Sequence, residues 1–129
     1  ARPDAWPWAK AADPQGRENT TVAVVATDAD LTAAECRRVA QMASAGLARA
    51  IRPVFAPFDG DVVFGLATGA GSGSENAPPE DGPARALRLA RIGALAADTL
   101  ARAVARGVFE ARAWDGCPVE DWKTKNSHD

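Results

Sequence analysis

Asn19-Thr20-Thr21-Val22-Ala23-Val24-Val25-Ala26-Thr27-Asp28 decides how the rest of the chain is read. Ahead of it, residues 1–19 carry Pro3, Pro7, Pro14 and Gly16 among charged side chains, which favours an extended linker over a packed element. At Thr20 the composition changes to β-branched and small apolar residues. In an extended chain Val22 and Val24 point to one face, and Ala23 and Val25 to the other. Apolar groups on both faces predict a strand over residues 20–28 that is covered on both sides. Thr27-Asp28-Ala29-Asp30 closes it in a turn.

Working outward, Thr32 followed by Glu35 forms a capping box that starts a helix. Cys36, Val39, Ala40, Ala43, Leu47 and Ala50 recur at helical spacing, with Arg37, Arg38 and Gln41 opposite. The many alanines permit close approach to a sheet, and Pro53 ends the helix. Asp59-Gly60 is a turn signal, and a second strand follows at Val62-Val63-Phe64-Gly65-Leu66-Ala67-Thr68. There Val63, Gly65 and Ala67 share a face whose small residues predict a close neighbour. Residues 69–82 read as a flexible loop. Gly69-Ala70-Gly71-Ser72-Gly73 has no G-K-[ST] ending, so a phosphate loop is not expected. A second helix is predicted from Pro83 to about Arg106, with its arginines on a solvated face. Gly107 marks its stop, and a short strand is expected at Val108-Phe109-Glu110-Ala111. The tail from Trp114 is polar and is expected to be poorly ordered. The order is strand, helix, strand, helix, and two strands rarely stand alone, so other sequence is expected to complete the sheet.

Composition narrows the function classes. The chain has 129 residues and a net charge of −2, so nothing resembles the broad basic surface that nucleic acid or an anionic membrane requires. No apolar run reaches the roughly 18 residues needed to span a bilayer. Cys36 and Cys117 are far apart and form no C-x-x-C, which points to a reduced, cytoplasmic protein. Large core residues are few and all four tryptophans lie in the flanks, so the expected core is thin and needs a second polypeptide. The chain starts with Ala rather than Met, and a processed or truncated start is expected.

The single histidine is His128, in the tail. A Ser-His-Asp, Cys-His or multi-histidine zinc site would need its imidazole from elsewhere. One route to an activated hydroxyl needs none. If the chain is cut before a Ser or Thr, the new α-amino group acts as base for that residue's own hydroxyl. Its reference pKa of about 7.7–8.0 leaves it substantially neutral near working pH. Thr20 stands where such a residue would, at the junction of linker and strand. Local chemistry leaves a plainer reading open, with Thr20 and Thr21 opening a strand and Asn19 in a turn. Asp59-Gly60-Asp61 is likewise either a turn or a pair of carboxylates that enter the sheet side by side, able to hold the Thr20 amine and hydroxyl and to raise the amine's pKa. A Mg²⁺ or Ca²⁺ site is the weaker reading, because two carboxylates without further ligand spacing do not make a cage.

Four segments in order carry a resemblance: Asn19 to Ala29; Gly46-Leu47-Ala48-Arg49-Ala50-Ile51-Arg52-Pro53-Val54; Pro57-Phe58-Asp59-Gly60-Asp61; and Phe64-Gly65-Leu66-Ala67-Thr68-Gly69. Together with Leu95 to Val108 they resemble the C-terminal part of the L-aminopeptidase/D-esterase family, which includes β-aminopeptidases and nylon-oligomer hydrolases. The likeness spans residues 17–111. The Asn-Thr junction and the D-G-D triplet look most like the nylon-oligomer hydrolase branch.

The resemblance implies an α+β fold, part of an αββα sandwich of the N-terminal-nucleophile kind. It implies a precursor that cuts itself between Asn19 and Thr20 into a large α and a small β subunit that stay together. Residues 1–19 would end the α subunit, 20–111 would form the nucleophile-bearing β segment, and 112–129 a polar tail. Thr20 would be the catalytic nucleophile toward small peptide, β-peptide or 6-aminohexanoate-type amides, with Asp59 and Asp61 orienting and polarising its amine and hydroxyl. No cofactor or metal is implied. The implied partners are the large α subunit or a missing N-terminal segment, which would supply a lysine and an asparagine to the site, and further αβ units of a homo-oligomer. Without that segment the chain is expected neither to fold stably nor to turn over substrate. Two rival readings are an acyltransferase similar to ornithine acetyltransferases, and a non-catalytic, sheet-completing subunit.

Overall fold

A computed structural model describes residues 20–57, 59–71 and 82–127; the expected linker over 1–19 lies outside them. The elements are β1 (Val22–Thr27), α1 (Ala33–Ala50), β2 (Val62–Ala67), α2 (Gly82–Glu110) and α3 (Trp122–Lys125). This is an α+β arrangement. β1 and β2 pair in parallel, from Val22 opposite Val62 to Thr27 opposite Ala67, with α1 as the connection that parallel pairing demands.

The predicted capping box starts α1. Thr32 N–H donates to Glu35 Oε2 at 2.8 Å, and Glu35 N–H to Thr32 Oγ1 at 3.3 Å. The buried stripe of α1 is Val39, Ala40, Ala43, Gly46 and Leu47. The helix stops at Ala50, where Ile51 N–H caps the Leu47 carbonyl, shortly before Pro53. α1 lies close against β2, as the small residues there predict: a Cβ on Gly65 would sit 2.6 Å from the Cys36 carbonyl oxygen. Ala43, Leu47 and Leu100 form the core, with Ala23, Val25 and Val63 of the sheet and Ile51 and Val54 of the following loop packed on it. The thin core expected from composition is what these few, mostly small, side chains make.

The sheet is covered on one side. Ala23 and Val25 face the helices, whereas Val22 and Val24 remain 64 % and 60 % exposed, and Phe64 and Leu66 54 % and 55 %. The alternation therefore identified two apolar faces correctly, but only one of them meets a layer among the described residues. An apolar groove of about 270 Å³ also runs along β1 and α2, lined by Val24, Ala26, Ile92, Leu95 and Leu100 among others.

Two expectations change at the C-terminal end. α2 runs through Gly107 to Glu110, so no strand forms at Val108–Ala111; Ala111 N–H still donates to the Gly107 carbonyl at 3.1 Å. A glycine inside a helix costs only about 1 kcal/mol relative to alanine, and the final turn has partners to offset it. Lys123 Nζ sits 4.2 Å from the centre of the Phe109 ring and 3.4 Å from Glu110 Oε2. The tail that supplies Lys123 is ordered as α3. Asp121 caps it, accepting from Thr124 N–H at 2.8 Å and from Ala113 N–H at 3.1 Å. These two backbone donors hold the Asp121 carboxyl down to about 2. No helix among the described residues is long and apolar enough to cross a membrane.

Candidate active site

The parallel register fixes what Thr20 can meet. Val22 lies opposite Val62, so stepping back along both strands puts Thr21 opposite Asp61 and Thr20 opposite Gly60. The hydrogen bonds follow that extension: Val62 N–H donates to the Thr21 carbonyl at 2.9 Å, one residue beyond β1. Thr21 N–H in turn donates to Asp61 Oδ1 at 2.6 Å, a short, charge-assisted bond.

Thr20 is exposed at the mouth of the sheet. Its side chain lies against Gly60, where a Cβ would come within 2.8 Å of Thr20 Oγ1 and 3.4 Å of its Cγ2. Glycine at the middle of the triplet is thus what lets the threonine hydroxyl rest on the backbone between the two aspartates. Asp59 and Asp61 bracket Gly60 along the chain, and in an extended chain their side chains share the side opposite to that of the residue between them. Asp59 Oδ1 is buried, and Asp59 N–H donates to the Ala56 carbonyl at 2.9 Å, closing the turn that delivers the triplet to β2.

Asp61 is tied on its other side as well. Its Oδ2 accepts from Phe55 N–H at 2.9 Å. Phe55 has φ 54°, a left-handed backbone unusual for a bulky residue. One carboxylate therefore joins the loop after α1 to the head of β1.

Of the residues named from sequence, Asp61 accepts from the backbone of Thr21, the neighbour of Thr20, and Asp59 stands two residues before Asp61 on the same segment. Asn19 lies outside the described residues. Sequence reasoning missed Phe55, since nothing in its residue type signals a left-handed loop position. It also missed the use of Gly60 as a seat for Thr20, which the parallel register would have revealed. No group of three or more His, Cys, Asp or Glu side chains among the described residues is arranged to hold a metal ion. The arrangement holds the Thr20 hydroxyl against Gly60 and the neighbouring Thr21 N–H on the Asp61 carboxylate, at the head of a strand.

Comparison with known proteins bears on this site. The family model of peptidase family S58 matches residues 3–120. An uncharacterized aminopeptidase of Mycobacterium bovis is 50 % identical over 106 residues, 78 % of this chain and 30 % of the relative, and one of Mycobacterium tuberculosis gives the same figures. An uncharacterized aminopeptidase of Mycobacterium leprae is 45 % identical over 114 residues, 87 % of this chain and 31 % of its own length. The chain thus spans about 30 % of the length of the curated relatives it matches. No solved structure matches it.

Proposed function

The chain belongs to peptidase family S58, and from that premise we propose that it is the nucleophile-bearing part of a self-processing amide hydrolase. The observation that carries the proposal is the seat of Thr20, with its hydroxyl on Gly60 and its neighbour's N–H on Asp61. The aminopeptidase names of the relatives support hydrolysis of peptide-like amides.

In the proposed processing step, Thr20 Oγ attacks the Asn19 carbonyl carbon. The Asn19–Thr20 C–N bond breaks, the hydroxyl proton passes to the departing nitrogen, and an ester joins Asn19 to Thr20 Oγ. Water hydrolyses that ester, leaving a carboxylate on Asn19 and a free α-amino group on Thr20. That amine then serves as base for its own hydroxyl. The hydroxyl attacks a substrate amide, the amine hands the proton to the leaving nitrogen, and water releases the acyl group. Asp61 holds the strand head in place, and Asp59 and Asp61 favour the protonated amine that forms transiently.

Residues 1–19 would then end the large subunit and 20–111 form the small one. The rest of the protein would cover the exposed sheet face, completing an αββα sandwich, and would supply further side chains to the site. The exposure of Val22, Val24, Phe64 and Leu66 supports such a cover, since contiguous exposed apolar surface marks an interface. Pairs of large and small subunits would associate into homo-oligomers, and small peptide, β-peptide or 6-aminohexanoate-type amides would be the substrates.

The test uses the complete protein. Thr20→Ala is expected to stay as one uncut chain without amidase activity, and Thr20→Ser to cut and turn over more slowly. Amidase activity retained by Thr20→Ala would overturn the proposal.

A further inference from the structure

We propose that Phe55 is a positioning residue for this site: its left-handed backbone aims an N–H at Asp61 and thereby fixes the carboxylate that holds the strand head beside Thr20. The inference rests on Thr20 being the nucleophile, and it adds a residue to that reading from a loop with no sequence signature.

The argument starts in the core. Ile51 and Val54 pack against Ala43, Leu47 and Leu100, so the chain leaving α1 is anchored up to Val54. The next residue turns to φ 54°. For an L-residue with a large side chain this region is disfavoured, because Cβ crowds the neighbouring backbone oxygen. Phe55 remains 46 % exposed, so burial of its side chain is a weak reason for holding the backbone there. What the conformation delivers is a donor, with Phe55 N–H 2.9 Å from Asp61 Oδ2. The other oxygen of the same carboxylate takes Thr21 N–H at 2.6 Å. Two backbone donors from separate segments pin one carboxylate, which narrows its rotamer freedom. The path therefore runs from the core through Val54 and Phe55 to Asp61, then through Thr21 to Thr20. Strained backbone of this kind persists where the surroundings over-determine it, and it gathers at functional sites.

This makes a prediction that separates backbone from ring. Phe55→Gly, Phe55→Asn and Phe55→Val all keep the N–H, but they differ in tolerance of positive φ, with glycine best, asparagine next and β-branched valine worst. In the complete protein, the rate of cutting before Thr20 and kcat on an amide substrate should rank in that order. Glycine rescues wild-type rates, whereas valine falls by roughly tenfold. KM should change little, so the loss falls on cutting and kcat, a split that a purely structural role would not produce. If valine does not fold, Phe55→Ala, which also disfavours positive φ, takes its place: rates below those of glycine and asparagine support the proposal, and rates equal to or above theirs overturn it. It is also overturned if rates follow side-chain size and hydrophobicity, or if all variants match wild type. Failure of the underlying reading looks different, because wild-type protein would then retain an internal Thr20.

Discussion

Gly60 is where a single atom matters most. A methyl group there would meet the Thr20 hydroxyl at 2.8 Å, closer than real Cβ contacts come. Gly60→Ala should therefore shift the Thr20 hydroxyl while leaving the core untouched. A displacement of this size predicts slower cutting at Asn19–Thr20 by up to about a hundredfold, with a melting midpoint close to wild type; a time course of uncut chain measures it. Asp61→Asn makes a second test. The amide keeps one acceptor but turns an NH₂ toward one of the two backbone donors, Thr21 N–H or Phe55 N–H. Losing a hydrogen bond to a charged group costs about 1.5–3 kcal/mol, so denaturant unfolding should report that loss together with impaired processing. At this scale the candidate residues were partly legible. Thr20 and the D-G-D triplet stand out by position, and their apposition follows once both strand starts are known. Phe55 was not legible, because its conformation is imposed by anchored neighbours and by a hydrogen bond six residues away in sequence.

Among the elements, the start of α1 is the most directly encoded. Thr32 and Glu35 cap one another, and Glu35 also receives a fork from Arg85 of α2, with Nε to Oε1 at 2.5 Å and Nη2 to Oε2 at 2.7 Å. Thr32→Ala should cost about 1 kcal/mol in denaturant unfolding. The Arg85 guanidinium first, and the Thr32 backbone N–H second, hold the Glu35 carboxyl at about 2, down from an ordinary 4.5. A depressed folded value means that the unfolded chain takes up the proton more readily. This contribution to stability is complete above about pH 4.5 and is lost as pH falls through about 2. In the complete protein, Glu35→Gln should flatten the acid limb of a melting-versus-pH curve within that window and leave its neutral region without added slope. The end of α2 was not legible. Gly107 looked like a stop, yet Lys123 on Phe109 and Glu110 secures one more turn, and that partner comes from beyond the helix.

Across the whole molecule, the exposed sheet face is the main difference between pattern and structure. Alternation in β1 and β2 specifies apolar groups on both sides, but among the described residues helices cover only one. What should cover the other is not written in these residues, and the relatives are about three times longer than the matched region. If the rest of the protein covers this face, a charge placed there is buried without a partner, at a cost of roughly 3–5 kcal/mol. Leu66→Asp, in the complete protein, should then reduce the yield of assembled material on size exclusion, whereas an exposed α2 substitution such as Arg102→Asp should not.

The measurement that tests the central claim most directly is the N-terminal sequence of the small chain in the mature, active, complete protein. The account predicts a chain that begins Thr20-Thr21-Val22, equimolar with one that ends at Asn19. A mature, active protein in which Thr20 is still internal would contradict it.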